Sequence, residues 1–401
     1  MRILFVTWDG PQVHYLESLF LPIFAGLRPH GYEFDILQFR WGSAEEEEVV
    51  RSACAEAGFG YSAVRIWRWG APGAFATALV GGLRMRKAVR RFGSDVIMPR
   101  SVLPSLVALA GGGPALRPVL LDADGLEIDE RIEFAGLKRG GLVHRMLSSI
   151  EAAMVRRSSA VLVRTAAARE ILAERAGQPG EPAKYTVVAN GRDGRVFHPF
   201  DDRGRQAVRS ELGIAAGAPL VVYVGSFGPK YRTRGVGELA LALHALRPDT
   251  RLLVLSLAPE QVRSELLDPF PGLADFTTVL RAPFRDVARY LAAADVGTVF
   301  ITETFSTRTV VPVKTGEYLL CGVPVVGTAA VGDNEAALSE GVFFDDRRGP
   351  AEAALWVVDQ VLPAREDYRR RARAVGEAHY SLEKSIGAYR EALEKLPRPS
   401  P

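Results

Sequence analysis

Lys314 and Glu317 stand three residues apart in the stretch PVKTGEYLLCGVPVV, residues 312–326, which ends in an apolar run typical of a buried strand. Pro312 suits the first turn of a helix, and residues three apart share one helical face. A lysine near a helix N-terminus favours a diphosphate, and a carboxylate one turn later can accept hydrogen bonds from vicinal sugar hydroxyls. These are the two ends of a nucleotide sugar. The alternative is a surface ion pair between the two side chains, which would contribute little.

A second candidate for anion binding is VGSFGPKYRTRG, residues 224–235, where an apolar run opens into a glycine-containing turn. Small residues let backbone N–H groups approach an anion, and cations strengthen the attraction, so the loop predicts phosphate binding. The alternative is a solvated basic loop. The candidate residues are Gly225, Ser226, Lys230, Arg232 and Arg234.

The elements that must position these residues alternate along the chain as short apolar runs and amphipathic segments of helix length. Helices are predicted at 13–27, 44–57, 75–92 and 143–157. The apolar runs of the first half are RILFVTW, YEFDILQF, AVRIW, DVIMP, PVLLDAD, AVLVR and YTVVAN. This alternation is typical of a parallel sheet with helices on both faces.

The pattern pauses at NGRDGRVFHPFDDRGR, residues 190–205, and then restarts. The runs of the second half are LVVYVGS, RLLVLSL, FTTVL, VGTVFI, VPVVGT and GVFFDD. We therefore predict an α/β protein of two Rossmann-like, doubly wound domains facing each other across a cleft, with ligands beyond the carboxyl ends of the strands. The predicted bounds are 1–190 and 191–378, followed by a helix in 379–401.

Composition excludes several classes of protein. The 401 residues exceed one ordinary core, and a net charge of +3 with no RNA- or DNA-binding motif disfavours nucleic acid as a partner. Cys54 and Cys321 are far apart and suggest neither disulfide nor zinc, which fits a reducing cytosol. The N-terminus does not resemble a secretory signal, and no stretch of 18 uncharged apolar residues occurs. No GxGxxG motif follows an early strand, so a dinucleotide oxidoreductase is disfavoured.

One surface stretch is rich in tryptophan and arginine. Trp67 and Trp69 precede a predicted helix that carries Arg84, Arg86, Lys87, Arg90 and Arg91. This composition is typical of segments attracted to anionic lipid, and it suggests a cytoplasmic protein peripheral to the inner face of a membrane. The alternative is a helix whose outer face is merely solvated.

The stretch 312–326 resembles the donor-binding segment of the retaining glycosyltransferases of family 4, which have the GT-B fold. Further matches occur in the family's order. VVANGRDGRVFHP resembles its interdomain linker, VVYVGS the first strand of its donor domain, and VARYLAAADVGTVF the helix and strand before its donor loop. The resemblance covers residues 185–345 well and the first half more weakly. It implies that the last helix crosses back to the first domain and that transfer needs no metal.

The sequence departs from the common family pattern in the donor half. That pattern has two glutamates eight positions apart; Glu317 is the second, and Thr309 occupies the first position. Ser226 stands where an arginine often follows the glycine of the strand. A branch often found in polysaccharide assembly has the motif PxKxxEY without the first glutamate, and this sequence resembles it.

Two stretches of the first half resemble acceptor-side loops of the family. TWDGPQVHYLESLFLP, residues 7–22, resembles the first loop, with Gly10 and the candidate His14. LLDADGLEIDER, residues 120–131, resembles a loop facing the acceptor; Asp124 takes the place of an arginine, and Glu127 is a further candidate. Asp122 and Asp124 can orient an acceptor hydroxyl. They also form a DxD, which holds a divalent metal in the GT-A class, but the later position of the donor motif argues against that interpretation.

The sequence thus predicts a glycosyltransferase that moves a sugar from a nucleoside diphosphate sugar to a hydroxyl acceptor with retention, without metal or other cofactor. The acceptor is a glycan, a lipid-linked molecule or a small molecule. Alternatives are a nucleotide-sugar epimerase of the same fold and a binding module without catalysis. The predicted catalytic residues are Asp122, Asp124, Lys230 and Lys314. The predicted donor-binding residues are Gly225, Ser226, Arg232, Arg234, Thr309, Pro312 and Glu317.

Overall fold

The structure, a computed structural model, describes residues 1–10 and 15–397. It divides into two compact units. Unit 1 comprises Met1–Ala189 and the segment that begins at Leu382, and unit 2 comprises Asn190–Ser381.

The described residues form thirteen strands, and each overlaps an apolar run that predicts one, although β3 begins three residues before its run. Unit 1 contains β1 Arg2–Asp9, β2 Glu33–Arg40, β3 Gly60–Arg65, β4 Val96–Pro99, β5 Leu120–Asp122, β6 Ala160–Val163 and β7 Tyr185–Val187. Unit 2 contains β8 Leu220–Val224, β9 Arg251–Leu255, β10 Thr277–Leu280, β11 Val296–Val299, β12 Val325–Gly327 and β13 Phe343–Asp345.

Helices connect the strands. The α-helices of the first segment of unit 1 are α1 Leu21–Leu27, α2 Ala44–Glu56, α3 Gly70–Phe92, α4 Val102–Ala110, α5 Gly113–Leu116, α6 Glu127–Phe134, α7 Leu142–Arg157 and α8 Ala166–Arg175. Those that follow are α9 Asp202–Glu211, α10 Thr233–Leu246, α11 Pro259–Val262, α12 Phe284–Ala292, α13 Val313–Leu320, α14 Glu335–Ser339, α15 Pro350–Trp356, α16 Arg365–Tyr380 and α17 Leu382–Glu394. The 3₁₀ turns are Arg28–His30, Pro182–Lys184, Leu273–Phe276, Thr307–Thr309 and Asp346–Arg348, and the π turns are Leu16–Phe20, Arg263–Leu267 and Val357–Val361.

Two of the predicted helix starts need comment. α3 begins at Gly70, five residues before the predicted start, because Pro72 and Gly73 fit the first turn of a helix although they are also common in loops. The first residues of the segment predicted at 13–27 lie outside the described residues, and its remainder forms a π turn followed by α1.

The unit 1 sheet is parallel, with the order β3-β2-β1-β4 continued by β5-β6-β7. Parallel bridges join Ile97 to Val119 and Arg100 to Asp122, where the two parts meet. Alternate residues of β1 pack into different cores: Ile3 and Phe5 lie in one cluster, and Leu4 and Val6 in another. Both faces of the sheet are therefore covered by helices, as parallel sheets require.

The unit 2 sheet is also parallel, with the order β10-β9-β8-β11-β12-β13. Each sheet thus reverses its strand order once, between β1 and β4 in unit 1 and between β8 and β11 in unit 2. Loops beyond the carboxyl ends of such strands are where open α/β sheets bind ligands. The prediction of an α/β fold built on parallel sheets is confirmed.

The last helix, α17, packs in unit 1. Tyr389 and Leu393 are buried in the same cluster as Ile3 and Phe5. Ser385 Oγ donates a hydrogen bond of 2.7 Å to the carbonyl of Ala189. No helix among residues 1–10 and 15–397 is long and apolar enough to cross a membrane.

Candidate active site

Two loops meet beyond the carboxyl ends of β8 and β11. Tyr231 forms an antiparallel bridge with Ile301. The N–H of Arg232 donates to the carbonyl of Phe300 at 3.1 Å, and the N–H of Thr302 donates to the carbonyl of Lys230 at 2.9 Å. The loop that carries Lys230 is therefore fixed against the chain that leads into α13.

Helix α13 begins beside these loops, with Pro312 as its N-cap at φ −65°. Two glycines allow α13 and α16 to pack closely: a Cβ at Gly376 would lie 2.7 Å from the backbone nitrogen of Leu320, and one at Gly316 would lie 2.8 Å from Cβ of Tyr380. This packing, together with Asn190 Nδ2 donating to the carbonyl of Val311 at 2.9 Å, holds the N-terminus of α13 in place.

The Lys314 ammonium lies between two tyrosine rings. Its Nζ is 4.8 Å from the ring centroid of Tyr223 and 4.8 Å from that of Tyr231. It makes no hydrogen bond or ion pair within the part of the chain that the structure describes. Gly225 passes directly beneath it at φ +136°, and a Cβ there would collide with Nζ. A cation held over aromatic faces, with backbone but no carboxylate against it, is ready to receive an anion.

The pKa of Lys314 is lowered to about 8. Burial is the largest cause, the nearby Lys230 ammonium lowers the pKa further, and Glu317 opposes both. Lys230 itself is half-buried. An anionic ligand at this position would relieve the repulsion between the two ammonium groups.

Glu317 is buried and pairs with a residue that the sequence did not suggest. Nε of Arg192 donates to Oε1 of Glu317 at 2.9 Å, and both side chains are less than a tenth exposed. Neither a surface pair with Lys314 nor a lone carboxylate describes this residue. Among the described residues, no hydrogen bond uses Oε2 of Glu317.

Tyr318, the residue after Glu317, ties the two strands at the switch point together. Its hydroxyl accepts a hydrogen bond from the N–H of Val224 at 3.0 Å and donates to the carbonyl of Thr298 at 3.5 Å. A Cβ at Gly297 would lie 2.6 Å from its ring, so a glycine is needed there. The adjacent residues Glu317 and Tyr318 therefore have different roles: Glu317 provides a buried carboxylate, and Tyr318 holds β8 and β11 together.

The structure gives the two arginines of the loop other partners. Arg232 forms an ion pair with Asp346 and donates to Thr328 Oγ1 at 3.1 Å. Arg234 is exposed and pairs with Glu238 at 2.8 Å, one turn along α10. These contacts place Arg232 in support of the loop and Arg234 on the surface, so Lys314 is a better candidate for a diphosphate than either arginine.

Two other predicted donor-binding residues form hydrogen bonds with residues close to them in sequence. Thr309 is fully buried, and its Oγ1 donates to the carbonyl of Ser306 at 2.8 Å. Ser226 is exposed, and its carbonyl accepts a hydrogen bond of 2.5 Å from the hydroxyl of Tyr223. The hydroxyl that replaces the first glutamate of the family pattern thus closes a turn.

In unit 1, Asp122 and Asp124 are close in sequence but have different surroundings. Asp122 is fully buried; Nη2 of Arg164 donates to both of its oxygens at 2.8 and 3.0 Å, and the hydroxyl of Tyr389 donates to Oδ2 at 3.3 Å. Burial and the Asp122 charge raise the pKa of Tyr389. The structure therefore assigns Asp122 to the support of this edge and to the attachment of α17, instead of to contact with a substrate.

Asp124 is the more accessible of the two acids, with a side chain 36% exposed. Nη2 of Arg100 donates to its Oδ2 at 2.6 Å. Asp124 has φ +60° and Ser101 has φ +70°, and they are the non-glycine residues with positive φ in the described chain. Left-handed backbone at such residues is costly and is concentrated at functional sites.

The remaining acceptor-side candidates have packing or capping contacts. Gly10 faces the indole of Trp41, with which a Cβ would collide. Glu127 Oε2 accepts a hydrogen bond of 3.3 Å from the N–H of Val102, and Oε1 pairs with Arg131. His14 lies outside the described residues, so its role stays a prediction.

The carboxylates of the DxD are a poor donor set for a divalent cation, because Arg164 and Arg100 already neutralise them. Within residues 1–10 and 15–397, no group of three or more His, Cys, Asp or Glu side chains could hold a metal ion.

Residues 218–360 match the family model for glycosyl transferases group 1. This match covers the loops of β8 and β11 and helix α13. The chain is also 30% identical, over 128 residues, to alpha-maltose-1-phosphate synthase of Mycolicibacterium smegmatis. That alignment covers 30% of this chain, and the chain spans 32% of that relative's length.

Solved structures share the fold over nearly the whole chain. Anabaena Alr3699/HepE in complex with UDP has a TM-score of 0.70 at 17% identity, covering 99% of this chain and 100% of that chain. UDP-GlcNAc 2-epimerase from Neisseria meningitidis, bound to UDP-GlcNAc, has a TM-score of 0.62 at 12% identity, covering 98% and 100%. The GT-B fold is thereby confirmed, and it is shared by a structure in complex with UDP and by an epimerase structure.

Proposed function

We propose that this protein is a glycosyltransferase that moves a sugar from a nucleoside diphosphate sugar to an acceptor hydroxyl, with retention at the anomeric carbon, in glycan or glycoconjugate assembly. The observation that carries the proposal is the Lys314 ammonium, held between two tyrosine rings at the switch point of the unit 2 sheet without an anionic partner among the described residues. The family match over residues 218–360 supports it.

The proposed chemistry breaks the bond between the anomeric carbon and the diphosphate oxygen and forms one from the acceptor oxygen on the same face. Negative charge grows on the leaving diphosphate. Lys314, Lys230 and the N–H groups that begin α13 stabilise this charge, which is where an interaction accelerates the reaction most. Lys314 needs no rearrangement to do so, because its side chain is already enclosed.

Recognition of the nucleoside falls to Glu317. Arg192 holds Oε1 of this carboxylate. Oε2 accepts hydrogen bonds from the ribose hydroxyls of the donor. The ribose does not change during transfer, so this contact contributes to binding of substrate and product alike.

Asp124 orients the acceptor hydroxyl, and the departing diphosphate oxygen takes up the hydroxyl proton as the new bond forms. Its carboxylate is part-exposed, and its strained backbone is fixed by the neighbouring ion pairs. The proposed acceptor is a glycan, a lipid-linked molecule or a small molecule. Residues other than Asp124 select among these acceptors.

Transfer by fixed cations predicts that activity survives removal of divalent metal. Turnover with excess EDTA should equal turnover with added manganese. Complete loss in EDTA, restored by manganese and reproduced by Asp124→Asn, would replace this mechanism by a metal-dependent one at the DxD.

Two rival functions share the fold. The first is an epimerase, which the similarity to a UDP-GlcNAc 2-epimerase structure supports. The second is a module that binds nucleotide sugar without turnover, which the replacement of an acidic residue by Thr309 supports. The decisive experiment is a screen of nucleotide sugars for donor hydrolysis and transfer. Release of nucleoside diphosphate supports transfer, inversion at C2 supports the epimerase, and binding without turnover supports the module.

A further inference from the structure

Residues 57–94 contain no aspartate or glutamate but seven cations: Arg65, Arg68, Arg84, Arg86, Lys87, Arg90 and Arg91. The formal charge of the whole chain is +3, so the rest of the chain is net negative. The net positive charge of this protein therefore comes from one segment of unit 1, which comprises β3, the following loop and α3.

The cations of this segment have no carboxylate partners among residues 1–10 and 15–397. None of the seven forms an ion pair or side-chain hydrogen bond within the described residues. Arginines elsewhere in the chain commonly do, as Arg192, Arg205 and Arg232 illustrate. Like charges one turn apart, such as Arg86 and Arg90, destabilise a helix, so the cluster costs stability unless a ligand neutralises it.

The exposed side of α3 carries large apolar side chains near the middle of the helix and cations towards its C-terminus. Leu79, Val80 and Leu83, near its middle, are 57%, 49% and 69% exposed. The five cations crowd its last turns, while Ala78, Met85 and Val89 face the core on the opposite side. Large apolar side chains beside unpaired cations match an interface that offers both an apolar layer and negative charge.

Two tryptophans extend the apolar end. Trp67 and Trp69 are 43% and 74% exposed, with ring centroids 5.8 Å apart and planes inclined by 23°. The N–H of Trp67 donates to Thr77 Oγ1 at 3.0 Å, and Gly73 packs directly against the carbonyl of Trp67. The pair is thus fixed to α3. It follows β3 directly, so it lies at the carboxyl edge of the unit 1 sheet.

A groove beside the edge strand β3 completes this surface. It encloses about 400 Å³ and is lined by Arg65, Arg84, Lys87 and Arg91 together with Val64 and Trp67. Four cations around an apolar floor suit the phosphate and acyl boundary of a lipid headgroup.

We propose that this surface, residues 65–69 with the exposed side of α3, docks the protein on an anionic lipid bilayer. Charge complementarity selects the anionic headgroups, and the exposed tryptophans and leucines enter the interface beneath them. Nucleic acid would satisfy the charge but would leave Leu79 and Leu83 in water. The proposal concerns unit 1 alone and does not depend on the chemistry of unit 2.

The test is co-sedimentation of the full chain with vesicles of equal parts phosphatidylglycerol and phosphatidylcholine, compared with phosphatidylcholine alone. Binding should require the anionic lipid and should weaken strongly between 0.1 and 1 M salt, where the screening length falls from about 10 to about 3 Å. The variant Arg86→Gln/Lys87→Gln/Arg90→Gln/Arg91→Gln should lower the partition coefficient roughly 10²- to 10³-fold, since each cation contributes about fivefold.

A matched control removes the same number of charges elsewhere. Lys138, Arg157, Arg203 and Arg281 are exposed and make no ion pair among the described residues, and their replacement by glutamine should leave binding unchanged. A second variant, Trp69→Gln/Leu79→Gln/Leu83→Gln, should weaken binding yet keep its salt dependence. Circular dichroism and thermal unfolding check that each variant is folded.

Three results would overturn the proposal. The first is equal binding to vesicles with and without anionic lipid. The second is equal loss in the patch and control variants. The third is vesicle binding unaffected by the apolar variant while binding to single-stranded RNA is abolished by the charge variant, which would assign the surface to nucleic acid.

Discussion

Arg192 and Glu317 form a buried ion pair, with Nε of the arginine 2.9 Å from Oε1 of the glutamate, although 125 residues separate them in the chain. The pair joins the start of unit 2 to the helix that carries Lys314. Removing one partner of a buried pair leaves the other charge unpaired in a poorly solvated place. The candidate site and the stability of unit 2 are therefore linked through Glu317.

The first prediction separates these two roles. Arg192→Met should lower the free energy of unfolding of unit 2 by about 3 to 5 kcal/mol, because it strands a buried carboxylate. Glu317→Gln keeps an oxygen for Arg192 but loses its charge, so the affinity for nucleoside diphosphate should fall by about 1.5 to 3 kcal/mol. Denaturant unfolding and calorimetric titration measure the two effects. Unchanged nucleotide affinity in a folded Glu317→Gln protein would remove Glu317 from the ribose site.

The second prediction uses the lowered pKa of Lys314, about 8. Only the protonated amine attracts a diphosphate, so affinity should be steady near pH 7 and weaken above pH 8, by up to about tenfold per pH unit. Lys314→Arg should abolish this dependence, because a guanidinium keeps its charge. Calorimetry between pH 7 and 9.5, in buffers of different ionisation enthalpy, should also detect proton uptake on binding. Parallel pH profiles for the two proteins would contradict the assignment.

The third prediction concerns the glycine beneath Lys314. Gly225→Ala introduces a Cβ that collides with Nζ and places a side chain at φ +136°. Backbone strain of this kind costs about 1 to 3 kcal/mol, and displacement of the lysine should weaken nucleotide binding as well. Gly217→Ala, where a Cβ meets open space, is the control and should change neither property. An unaltered nucleotide affinity in Gly225→Ala would show that the ammonium has another position available.

The fourth prediction concerns Asp122. Asp122→Asn weakens its bond with the buried Arg164 and should lower the free energy of unfolding of unit 1 by about 3 to 5 kcal/mol. Asp124→Asn, at the part-exposed position, should cost less stability. Thermal unfolding of both variants makes the comparison. Equal stability of Asp122→Asn and the parent protein would return Asp122 to the list of candidate catalytic groups.

The fifth prediction concerns pH and stability in unit 1. Burial raises the pKa of Glu151 from 4.5 to about 7, with Asp129 and Glu127 adding to the shift and Arg175 opposing it. The folded state thus holds this proton longer than the unfolded chain, so this group reduces stability as pH rises through that interval. Glu151→Gln should be more stable than the parent at pH 8, and the difference should vanish near pH 4.5.

The control for this comparison is Glu174→Gln, an exposed carboxylate on α8. Denaturant midpoints at several pH values should be the same for this variant and the parent. A parent protein more stable than Glu151→Gln at pH 8 would mean that the ion pair with Arg175 outweighs the cost of burial.

The strands could be predicted because each is a local apolar run, and local patterns decide them. Lys314 and Glu317 were found for the same reason, since their spacing along one helix is visible in the sequence. Arg192, Tyr223 and Tyr231 were missed because what matters is their position in space. The tyrosines have one available signal, which is that they flank the glycine-containing turn after β8.

The division between Asp122 and Asp124 shows the same limit. Asp122 ends β5 and Asp124 follows it by two residues, and nothing in the local sequence predicts which of them is buried. Arg164, 42 residues further along the chain, contacts both acids, and the two differ in burial: the side chain of Asp122 is 0% exposed and that of Asp124 is 36% exposed. The basic character of α3 was visible in the sequence, but the absence of carboxylate partners around it required the fold.

The position of α17 has a consequence for synthesis on the ribosome. Leu382, Tyr389, Leu393 and Leu396 belong to a core cluster that also contains Ile3 and Phe5. Residues 1–189 of unit 1 precede unit 2 in the chain, yet this core cluster cannot be completed until residues 382–396, which follow unit 2, have left the exit tunnel. Unit 2 is one uninterrupted segment and can complete its core earlier. The usual order, in which the N-terminal domain folds first, is thus reversed, and the exposed face of the unit 1 sheet must be protected from aggregation while unit 2 is being made.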